Sequence, residues 1–509
     1  MNEPEKRKLS REEIAKIEIG HTEVGVPQQR ALTIFFLALI FVYPVCQCCW
    51  RMPFAEWRYD GDIRQSIKSY ETAVEETSLL RQGLLPPVQT MLTGLFGVGN
   101  EKVIAGKEGR LFFSGDYEYL INPGFLRPEV LARREKKGIQ PDPVKAILDF
   151  DRQLKARNIR LILLPVPNKP MIDSDALDGK PAPLQNPSFA EFRQRLEAEG
   201  VTVLDLTEEF AAFRRAGGEP FLKTDTHWTP EGMRLAADRL AAEIAAAPRI
   251  PKPPRSVAVT HLGDTAAMLK LPDCERFFPA ETVTVADYDA RPRLDSEILL
   301  LGDSFANIYS AEAMQWGTDG GLAEALGALT GAPVDAIIRN DAGAFATRQL
   351  LAGELKRGRD RLAGKKVVIW EFASRELVSG DWKLLDMTPG DKAEDGDFLT
   401  LDAPRTVTAS VLAVSSVPRP HAAPYKDHVA SLYLGDIDGG NGRALVYAVS
   451  MRNNVWTAAA KLRAGDRVKI RLEPWETRET EFGSWNRSEF DDEELLLAEP
   501  LFGELLSEK

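Results

Sequence analysis

Residues 298–305 read ILLLGDSF, four apolar residues followed by Gly302, Asp303, Ser304 and Phe305. The apolar run has the length and composition of a buried strand. Sites in α/β proteins lie at the carboxyl ends of strands, where a small residue followed by Asp and Ser permits a tight turn. Such a turn would hold the Ser304 hydroxyl up and leave its backbone N–H free as an oxyanion donor. The same residues also suit an ordinary helix cap, so this motif alone does not decide function.

Short apolar runs resembling 298–301 recur along the middle of the chain, with amphipathic helical segments between them. Further strands are predicted at residues 160–165, 201–204, 334–338 and 367–370. Continuous apolar strands that alternate with helices indicate a parallel sheet covered on both faces. The sequence therefore predicts an α/β sandwich.

A second motif, Asp225-Thr226-His227-Trp228, precedes a helix that is predicted to start at Pro230. A carboxylate two residues from a histidine can fix the tautomer of the ring and stabilise the imidazolium. Serine needs such a base because its free hydroxyl is a poor nucleophile. A histidine that only caps or packs is the alternative. Taken together, the motifs predict Ser304 as nucleophile, with His227 and Asp225 as its activating pair.

The two motifs together resemble those of the alginate O-acetyltransferase family, the AlgJ/AlgX type, in which the Asp-x-His motif precedes the serine motif. Three further stretches are similar to that family: GKEGRLF at 106–112, PVPNKP at 165–170 and WEF at 370–372. The similarity covers roughly residues 100–380, and Arg110 stands where the family usually has Trp. The resemblance implies an SGNH-hydrolase-like three-layer α/β sandwich.

The resemblance also implies an activity, acetyl transfer onto hydroxyls of an extracellular polysaccharide such as alginate, with no cofactor. Ser304 would form an acetyl-serine, and His227 would take its proton. Tyr309 and Arg339, just beyond predicted strand ends, are candidates for binding the acyl oxygen or the sugar, with packing and a surface charge as their alternative roles. The rival functions are a polysaccharide acetyl esterase with the same triad and a non-catalytic carbohydrate-binding assembly protein.

Two function classes fit the sequence poorly. The formal net charge is -12, and nucleic-acid recognition needs a basic face. His227, Asp225, His261 and Asp264 could be assembled into a metal site on paper, but no H-E-x-x-H or comparable spacing supports one. We therefore expect neither a nucleic-acid partner nor a metal.

Residues 31–50, ALTIFFLALIFVYPVCQCCW, carry no charge. At a rise of ~1.5 Å per residue, a helix of this length covers roughly 30 Å, the thickness of a bilayer's hydrocarbon core. Basic residues precede the run, which predicts a cytoplasmic tail at 1–30 and a periplasmic catalytic domain on a single-pass protein of the bacterial inner membrane. A cleaved signal peptide is the alternative. A membrane-bound partner that supplies the acyl donor is implied by the family resemblance alone.

The remaining boundaries follow from changes in periodicity. Residues 51–99 are expected to form a helical juxtamembrane stalk, with stops at Gly83 and at Pro86-Pro87. The acetyltransferase domain is predicted at 100–390.

Beyond residue 395 the helical periodicity fades, and residues 395–509 are predicted to form a small β-rich domain for which an OB-type barrel is one candidate. Its strands are expected at 407–414, 428–434, 444–449 and 468–472. Trp456, Trp475 and Trp485 would either pack in its core or stack on sugar rings.

Overall fold

The computed structural model of the chain describes residues 11, 25–42, 45, 63–177, 179, 183–244, 254–340, 342–390, 398–420, 425–483, 485–490, 492, 494–495 and 498–506. Most of the predicted tail, residues 43–44 and 46–50 of the predicted anchor, and residues 51–62 of the predicted stalk lie outside the described residues. The predicted boundary between the two larger domains also falls outside them, at 391–397. These assignments stay predictions.

The N-terminal unit, which extends to Leu85, is helical where the structure describes it. The helix Val26–Leu37 continues as a π-helical segment, Ala38–Val42, and neither has a buried side chain. The helices Ile63–Thr77 and Leu79–Phe96 follow. None of the helices in the described ranges has both the length and the apolar content needed to cross a bilayer.

The helix Leu79–Phe96 runs through Gly83, Pro86 and Pro87, so the predicted stop at these residues is wrong. A proline removes one N–H donor, but its φ near −65° is compatible with a helix, and two prolines therefore weaken the helix without forcing it to end. The Thr90 hydroxyl donates to the Pro86 carbonyl at 2.7 Å. This side-chain bond lies within the turn that follows the two prolines.

The second unit, from Pro86 onward, contains a five-stranded parallel sheet. A short antiparallel pair, β1 (Val103–Ala105) and β2 (Leu111–Phe113), precedes it. The other strands of this part are β3 (Arg160–Val166), β4 (Thr202–Val203), β5 (Arg255–His261), β6 (Glu281–Asp287), β7 (Ile298–Gly302), β8 (Asp335–Ile338) and β9 (Val367–Ala373). The sheet has the order β4-β3-β9-β7-β8, and β5 pairs with β6 in a separate antiparallel ribbon. The five predicted strands and their parallel arrangement are confirmed.

Both faces of this sheet are covered, because β3, β7 and β9 are buried along nearly their whole length. The helices of this part are Ser114–Ile121, Pro128–Glu135, Pro143–Lys155, Lys169–Ile172, Phe189–Ala198, Thr207–Arg215, Pro230–Ile244, Asp264–Met268, Ser304–Asn307, Leu322–Thr330, Ala346–Lys356 and Glu376–Ser379. The helix that starts at Pro143 shows how they form. Asp142 caps its first turn, and Ile147, Phe150 and Leu154 recur at helical spacing on its buried side.

In the residues described, the C-terminal part is all-β apart from one short α-helix, Glu479–Phe482, and three 3-10 turns at Ile437–Gly439, Ala459–Lys461 and Trp475–Thr477. Its strands are β10 (Arg405–Val414), β11 (His428–Gly435), β12 (Ala444–Arg452), β13 (Val455–Trp456), β14 (Arg467–Pro474), β15 (Asn486–Ser488) and β16 (Leu501–Leu505). Strand β10 pairs with β11 and β14, β12 pairs with β11 and β16, and β14 pairs with β16. These pairings close five strands into a ring, which we call the barrel, and the predicted β-rich texture is confirmed.

The tryptophans of this part differ in exposure. Trp475 is buried in a cluster with Tyr447 and Phe502. Trp456 is 38% exposed, and its indole N–H donates to the Pro418 carbonyl at 2.8 Å. Trp475 therefore packs in the core, while Trp456 presents part of its ring to solvent.

Candidate active site

Ser304 begins the one-turn helix Ser304–Asn307, directly after β7 at the carboxyl edge of the sheet. Asp303 holds the turn with both oxygens: Oδ1 accepts from the Phe305 N–H and Oδ2 from the Ala373 N–H, each at 2.8 Å. Asp303 is therefore a structural residue of the turn. Its bond to Ala373 fixes the turn that carries Ser304 to the neighbouring strand β9.

The structure brings the two predicted motifs together. His227 Nε2 lies 2.8 Å from Ser304 Oγ, and His227 Nδ1 lies 2.6 Å from Asp225 Oδ1. All three side chains are buried. With Nδ1 protonated, the ring donates to Asp225 and its Nε2 can accept the serine proton, which is the arrangement of nucleophile, base and orienting carboxylate.

The Asp225 carboxylate accepts hydrogen bonds on both oxygens. Oδ1 accepts from the His227 N–H at 3.0 Å as well as from the ring, and Oδ2 accepts from the Asp264 N–H at 3.0 Å and the Trp316 indole N–H at 2.9 Å. Burial works to raise the pKa of Asp225, but His227 and these donors outweigh it and hold the pKa below its ordinary range. Asp225 is therefore a fixed negative charge.

That charge acts on the histidine. Burial works to lower the pKa of His227, but the Asp225 carboxylate outweighs burial and raises the pKa above its ordinary value. The Phe305 ring lies 4.7 Å from the imidazole, centroid to centroid. The site therefore favours the imidazolium that forms when a base removes the serine proton.

A further carboxylate, Asp264, lies beside the pair. Its Oδ2 is 3.8 Å from His227 Nδ1, and it accepts hydrogen bonds from the backbone and hydroxyl of Thr226. Burial, and then the Asp225 charge, raise the pKa of Asp264 to about 6. Ligand atoms of Asp225, His227 and Asp264 lie within 4.8 Å of one another, close enough to hold a metal ion. An ion there would displace the hydrogen bonds that orient His227, so the donor set fits the triad role better.

Residues 103–374, more than half of the chain, match the model of the ALGX family, described as an SGNH hydrolase-like domain, acetyltransferase AlgX. The chain belongs to this family. It is accordingly an SGNH-like O-acetyltransferase, and the resemblance that its motifs indicated is confirmed.

Its relatives in the family include two proteins named probable alginate O-acetylase AlgJ. The one from Pseudomonas fluorescens is 29% identical over 302 residues, which cover 56% of this chain and 70% of the relative. The one from Pseudomonas aeruginosa is 29% identical over 258 residues, which cover 46% of this chain and 61% of the relative. The solved O-acetyltransferase domain of Pseudomonas putida AlgJ aligns with 55% of this chain and 93% of its own, at 22% identity and a TM-score of 0.40.

Two of the stretches that resemble the family, at 165–170 and 370–372, support the triad through Lys169 and Glu371. The sequence analysis gave these two residues no role. Lys169, in PVPNKP, is buried, and its Nζ donates to the carbonyls of Leu111, Lys223 and Asp225 at 2.6, 2.7 and 3.1 Å. Burial lowers the pKa of Lys169 to about 8. An ammonium has three N–H donors, one for each carbonyl, so Lys169 ties the strand β2 to the segment that carries Asp225.

Glu371, in WEF on β9, supports the other half of the site. Its Oε2 accepts from the Asp303 N–H at 2.9 Å, and the side chain is fully buried. Burial, and then the Asp303 charge, raise the pKa of Glu371 well above its ordinary range. The surroundings of Glu371 therefore favour its protonated form. The sequence signal for this residue was an acidic side chain in an otherwise apolar strand.

Tyr309 lies beyond β7 as expected, and its side chain takes the packing role that was its alternative. Its side chain is fully buried, and its hydroxyl donates to the Trp228 carbonyl at 2.7 Å. A tyrosine has one hydroxyl hydrogen, so this arrangement leaves none for an acyl oxygen. Tyr309 instead connects the nucleophile segment to the residue that follows His227.

Arg339 also departs from its predicted role. It follows β8, but its guanidinium points to the barrel, where it donates to Glu489 Oε1 at 3.2 Å and to the Arg487 carbonyl. The arginine whose charge acts on His227 is Arg375, after β9, and it lowers the histidine pKa slightly against the effect of Asp225. Arg375 donates to Asp116 at 2.9 Å and lies over the Phe305 ring at 5.9 Å.

Proposed function

We propose that this acetyltransferase moves acetyl groups onto hydroxyls of an extracellular polysaccharide, alginate or a related polymer, through an acetyl-Ser304 intermediate. The observation that carries the proposal is the continuous contact from Ser304 Oγ through His227 to Asp225, 2.8 Å and 2.6 Å long. The choice of a polysaccharide acceptor is supported by the relatives named alginate O-acetylase.

The contacts of Ser304 and His227 support the following steps. Ser304 Oγ attacks the acetyl carbonyl while its proton passes to His227 Nε2, and the imidazolium then protonates the leaving group of the donor. The backbone N–H of Ser304 belongs to the nucleophile itself and lies at the start of the one-turn helix. It is therefore the expected donor to the oxyanion. In the second half, His227 takes the proton of a sugar hydroxyl, the sugar oxygen attacks the acetyl-serine, and Ser304 recovers its proton.

The acetyl-serine is the first thing to test. The purified full chain, given an activated acetyl ester, should release the leaving group and carry one acetyl group on Ser304, as located by mass spectrometry of the peptide. Ser304→Ala should abolish both signals. Ser310→Ala is the matched control, because Ser310 lies six residues beyond Ser304, where its hydroxyl donates to the Asn307 carbonyl at 3.4 Å, and this variant should retain activity. Full ester cleavage by Ser304→Ala would exclude the triad.

The second test separates transfer from hydrolysis, since the same triad serves both and the difference is whether water reaches the acetyl-serine. Oligosaccharides added to the ester assay should become acetylated and reduce the release of free acetate. If acetate is the sole product with every glycan offered, the protein acts as an acetyl esterase.

A single-pass membrane location with a periplasmic catalytic domain is the remaining part of the proposal. Its support is the uncharged run 31–50, of which the helical part up to Val42 exposes Ile34, Phe35 and Phe41. A membrane-bound protein would then supply the acetyl donor. The full chain should stay in the membrane fraction after an alkaline carbonate wash and should be cut by protease added from the periplasmic side. Release by the wash would exclude the anchor.

A further inference from the structure

The second half of the helix Leu79–Phe96 presents apolar side chains to solvent. These side chains recur at helical spacing and continue just past the end of the helix. We call them the apolar face; they are Val88, Met91, Leu95, Phe96 and Val98. Leu95 is 75% exposed, the largest fraction among the large apolar side chains that the structure describes. The whole face belongs to the second unit.

The opposite side of the same helix is polar and buried. Gln89 and Thr93 are buried, and each lies two positions, or about 200° of helical rotation, from a member of the apolar face. The Gln89 amide donates to the Thr93 hydroxyl at 3.0 Å and to the Gly99 carbonyl at 2.9 Å. The Thr93 hydroxyl donates to the Val98 carbonyl at 3.0 Å. The polar side chains of the helix therefore have their partners within the unit.

Packing around Gly94 holds the helix in this orientation. The Phe277 ring lies so close to Gly94 that a Cβ atom at this position would come within 2.9 Å of it. The Asn100 amide, just beyond the helix, donates to the Met268 carbonyl at 2.9 Å. The helix cannot turn its apolar face inward without losing these contacts.

This arrangement is the reverse of the usual one for a surface helix. In water, a helix on the surface of a protein buries its apolar side and exposes its polar side. A contiguous patch of exposed apolar side chains marks a surface that contacts a partner or a membrane. The apolar face is therefore expected to be covered when the protein is at work.

The position and charge of the helix favour a lipid surface. The helix begins at Leu79, and the uncharged run that is the proposed anchor ends at residue 50. A short tether of this kind keeps the bilayer at a high effective concentration beside the apolar face, so a weak affinity is sufficient. Residues 79–96 contain one charged side chain, Arg81, and no acidic one. An anionic bilayer surface therefore does not repel the helix.

We infer that the apolar face rests on the bilayer, with its side chains at the boundary between headgroups and acyl chains and the helix parallel to the membrane plane. The inference rests on the proposed membrane location of the chain and not on the reaction. A face fixed on the bilayer would limit the rotation of the second unit against the membrane surface. The catalytic edge of the sheet would then keep one orientation to the membrane.

The test uses the full chain in vesicles of phosphatidylethanolamine and phosphatidylglycerol, with Leu95 replaced by the photoreactive amino acid benzoylphenylalanine. Irradiation should couple lipid to the peptide that contains position 95, as found by mass spectrometry. The control carries the same group in place of Leu294, which is 69% exposed and precedes β7 at the amino edge of the sheet. Its lipid coupling should be at least about tenfold lower, because the group reacts only with what it contacts and the bilayer boundary covers one face.

Two variants of Met91 test the apolar face itself, each combined with the photoreactive group at position 95. A carboxylate is costly to bring to the hydrocarbon boundary, so Met91→Asp should reduce lipid coupling at least about fivefold, whereas Met91→Leu should stay within about twofold. Both substitutions lie at an exposed position and should leave the melting temperature unchanged, which separates lost contact from lost folding.

Coupling of position 95 to a second copy of the chain in place of lipid would overturn the inference. Equal lipid coupling from positions 95 and 294, or equal coupling in Met91→Asp and Met91→Leu, would overturn it as well. If the carbonate wash releases the chain while position 95 still couples to lipid, the apolar face is retained and only the proposed anchor fails.

Discussion

At the scale of single residues, the saturated Asp225 carboxylate gives the sharpest prediction. Asp225→Asn keeps the shape of the side chain, but its amide turns one acceptor into a donor and no longer fixes the His227 tautomer. Ester cleavage should fall roughly 10³–10⁴-fold in kcat. Asp295→Asn, at an exposed carboxylate away from the site, is the control. A loss of less than tenfold would mean that Asp225 does not orient the base.

The pH dependence follows from the same contacts. The base must be neutral to accept the serine proton, so kcat/KM should fall as the pH drops through the pKa of His227. Because Asp225 and Asp264 both act to raise that pKa, the acid limb should lie above about 6.5, the ordinary value for histidine. Asp264→Asn removes one of the two charges and should move the limb to lower pH. An unmoved limb in that variant would show that Asp264 is uncoupled from the base.

The candidate residues that the structure brings together and those that it places apart differ in how they were predicted. Ser304, His227 and Asp225 stand in short motifs whose spacing carries chemical meaning. Tyr309 and Arg339 were chosen only because they follow strand ends, and that position does not determine where a side chain points. Tyr309 turns to a carbonyl and Arg339 to the barrel, and both directions come from contacts distant in sequence.

At the scale of elements, Lys169 joins three segments through one ammonium group. Lys169→Met keeps most of the side-chain volume but leaves three carbonyls without their donor. Each buried polar group left unsatisfied costs roughly 1–3 kcal/mol. We expect a clear drop in melting temperature together with a fall in kcat, because the segment carrying Asp225 is one of the three. Lys366→Met, at an exposed lysine, should change neither quantity. Unchanged kcat in a folded Lys169→Met would limit the lysine to stability.

A complementary prediction concerns Glu371, which lies on the central strand β9. The amide oxygen of Gln can accept as the carboxyl oxygen does, so Glu371→Gln should keep the hydrogen bond from the Asp303 N–H and most of the activity. Glu371→Ala removes the acceptor and opens a void beneath the nucleophile turn, and activity should fall at least about tenfold for a misplacement of this kind. Steady-state kinetics on the activated ester compare the two. Equal activity in both variants would argue that Asp303 holds the turn without help.

The five strands of the parallel sheet could be predicted because apolar runs of four to eight residues report burial directly, and so could β10, β11, β12 and β14 of the C-terminal part. The remaining strands were not predicted; they are β1, β2, β5, β6, β13, β15 and β16. The order of the strands could not be predicted, since β9 pairs with β3 and β7 through contacts that no local pattern encodes. The closure of the barrel depends on the parallel pairing of β12 with β16, which is likewise non-local. The two prolines after Gly83 were a misleading local signal. A helix can continue through a proline although one backbone N–H donor is lost there, and the helix Leu79–Phe96 does so.

At the scale of the whole molecule, Arg339 is one of the links between the α/β part and the C-terminal part, beside the contacts of Gln349 with Phe490 and of Arg359 with Glu499. Glu489 is 23% exposed and keeps Arg487 as a partner, so removing Arg339 should cost less than the roughly 3–5 kcal/mol typical of a fully buried pair. Arg339→Ala should loosen the barrel, which has an apolar core of its own, and calorimetry should resolve two unfolding transitions in place of one. Arg405→Ala removes an exposed ion pair within the barrel and should leave the trace unchanged. A single transition in both variants would mean that other contacts join the two parts.

The position of β9 has a consequence for how the enzyme is made. It is the middle strand of the sheet, yet the last of the five to leave the ribosome. The hydrogen bonds that join Asp303 to Glu371 and Ala373 can form only after it has been synthesised. A nascent chain that ends before residue 367 already contains the serine, the histidine and the aspartate, but lacks the strand that joins β3 to β7. Sheets closed by such distant pairing form late and slowly. Partly synthesised chains should therefore be unable to acetylate anything, and the catalytic centre should come into existence in a single step near the end of the domain's synthesis.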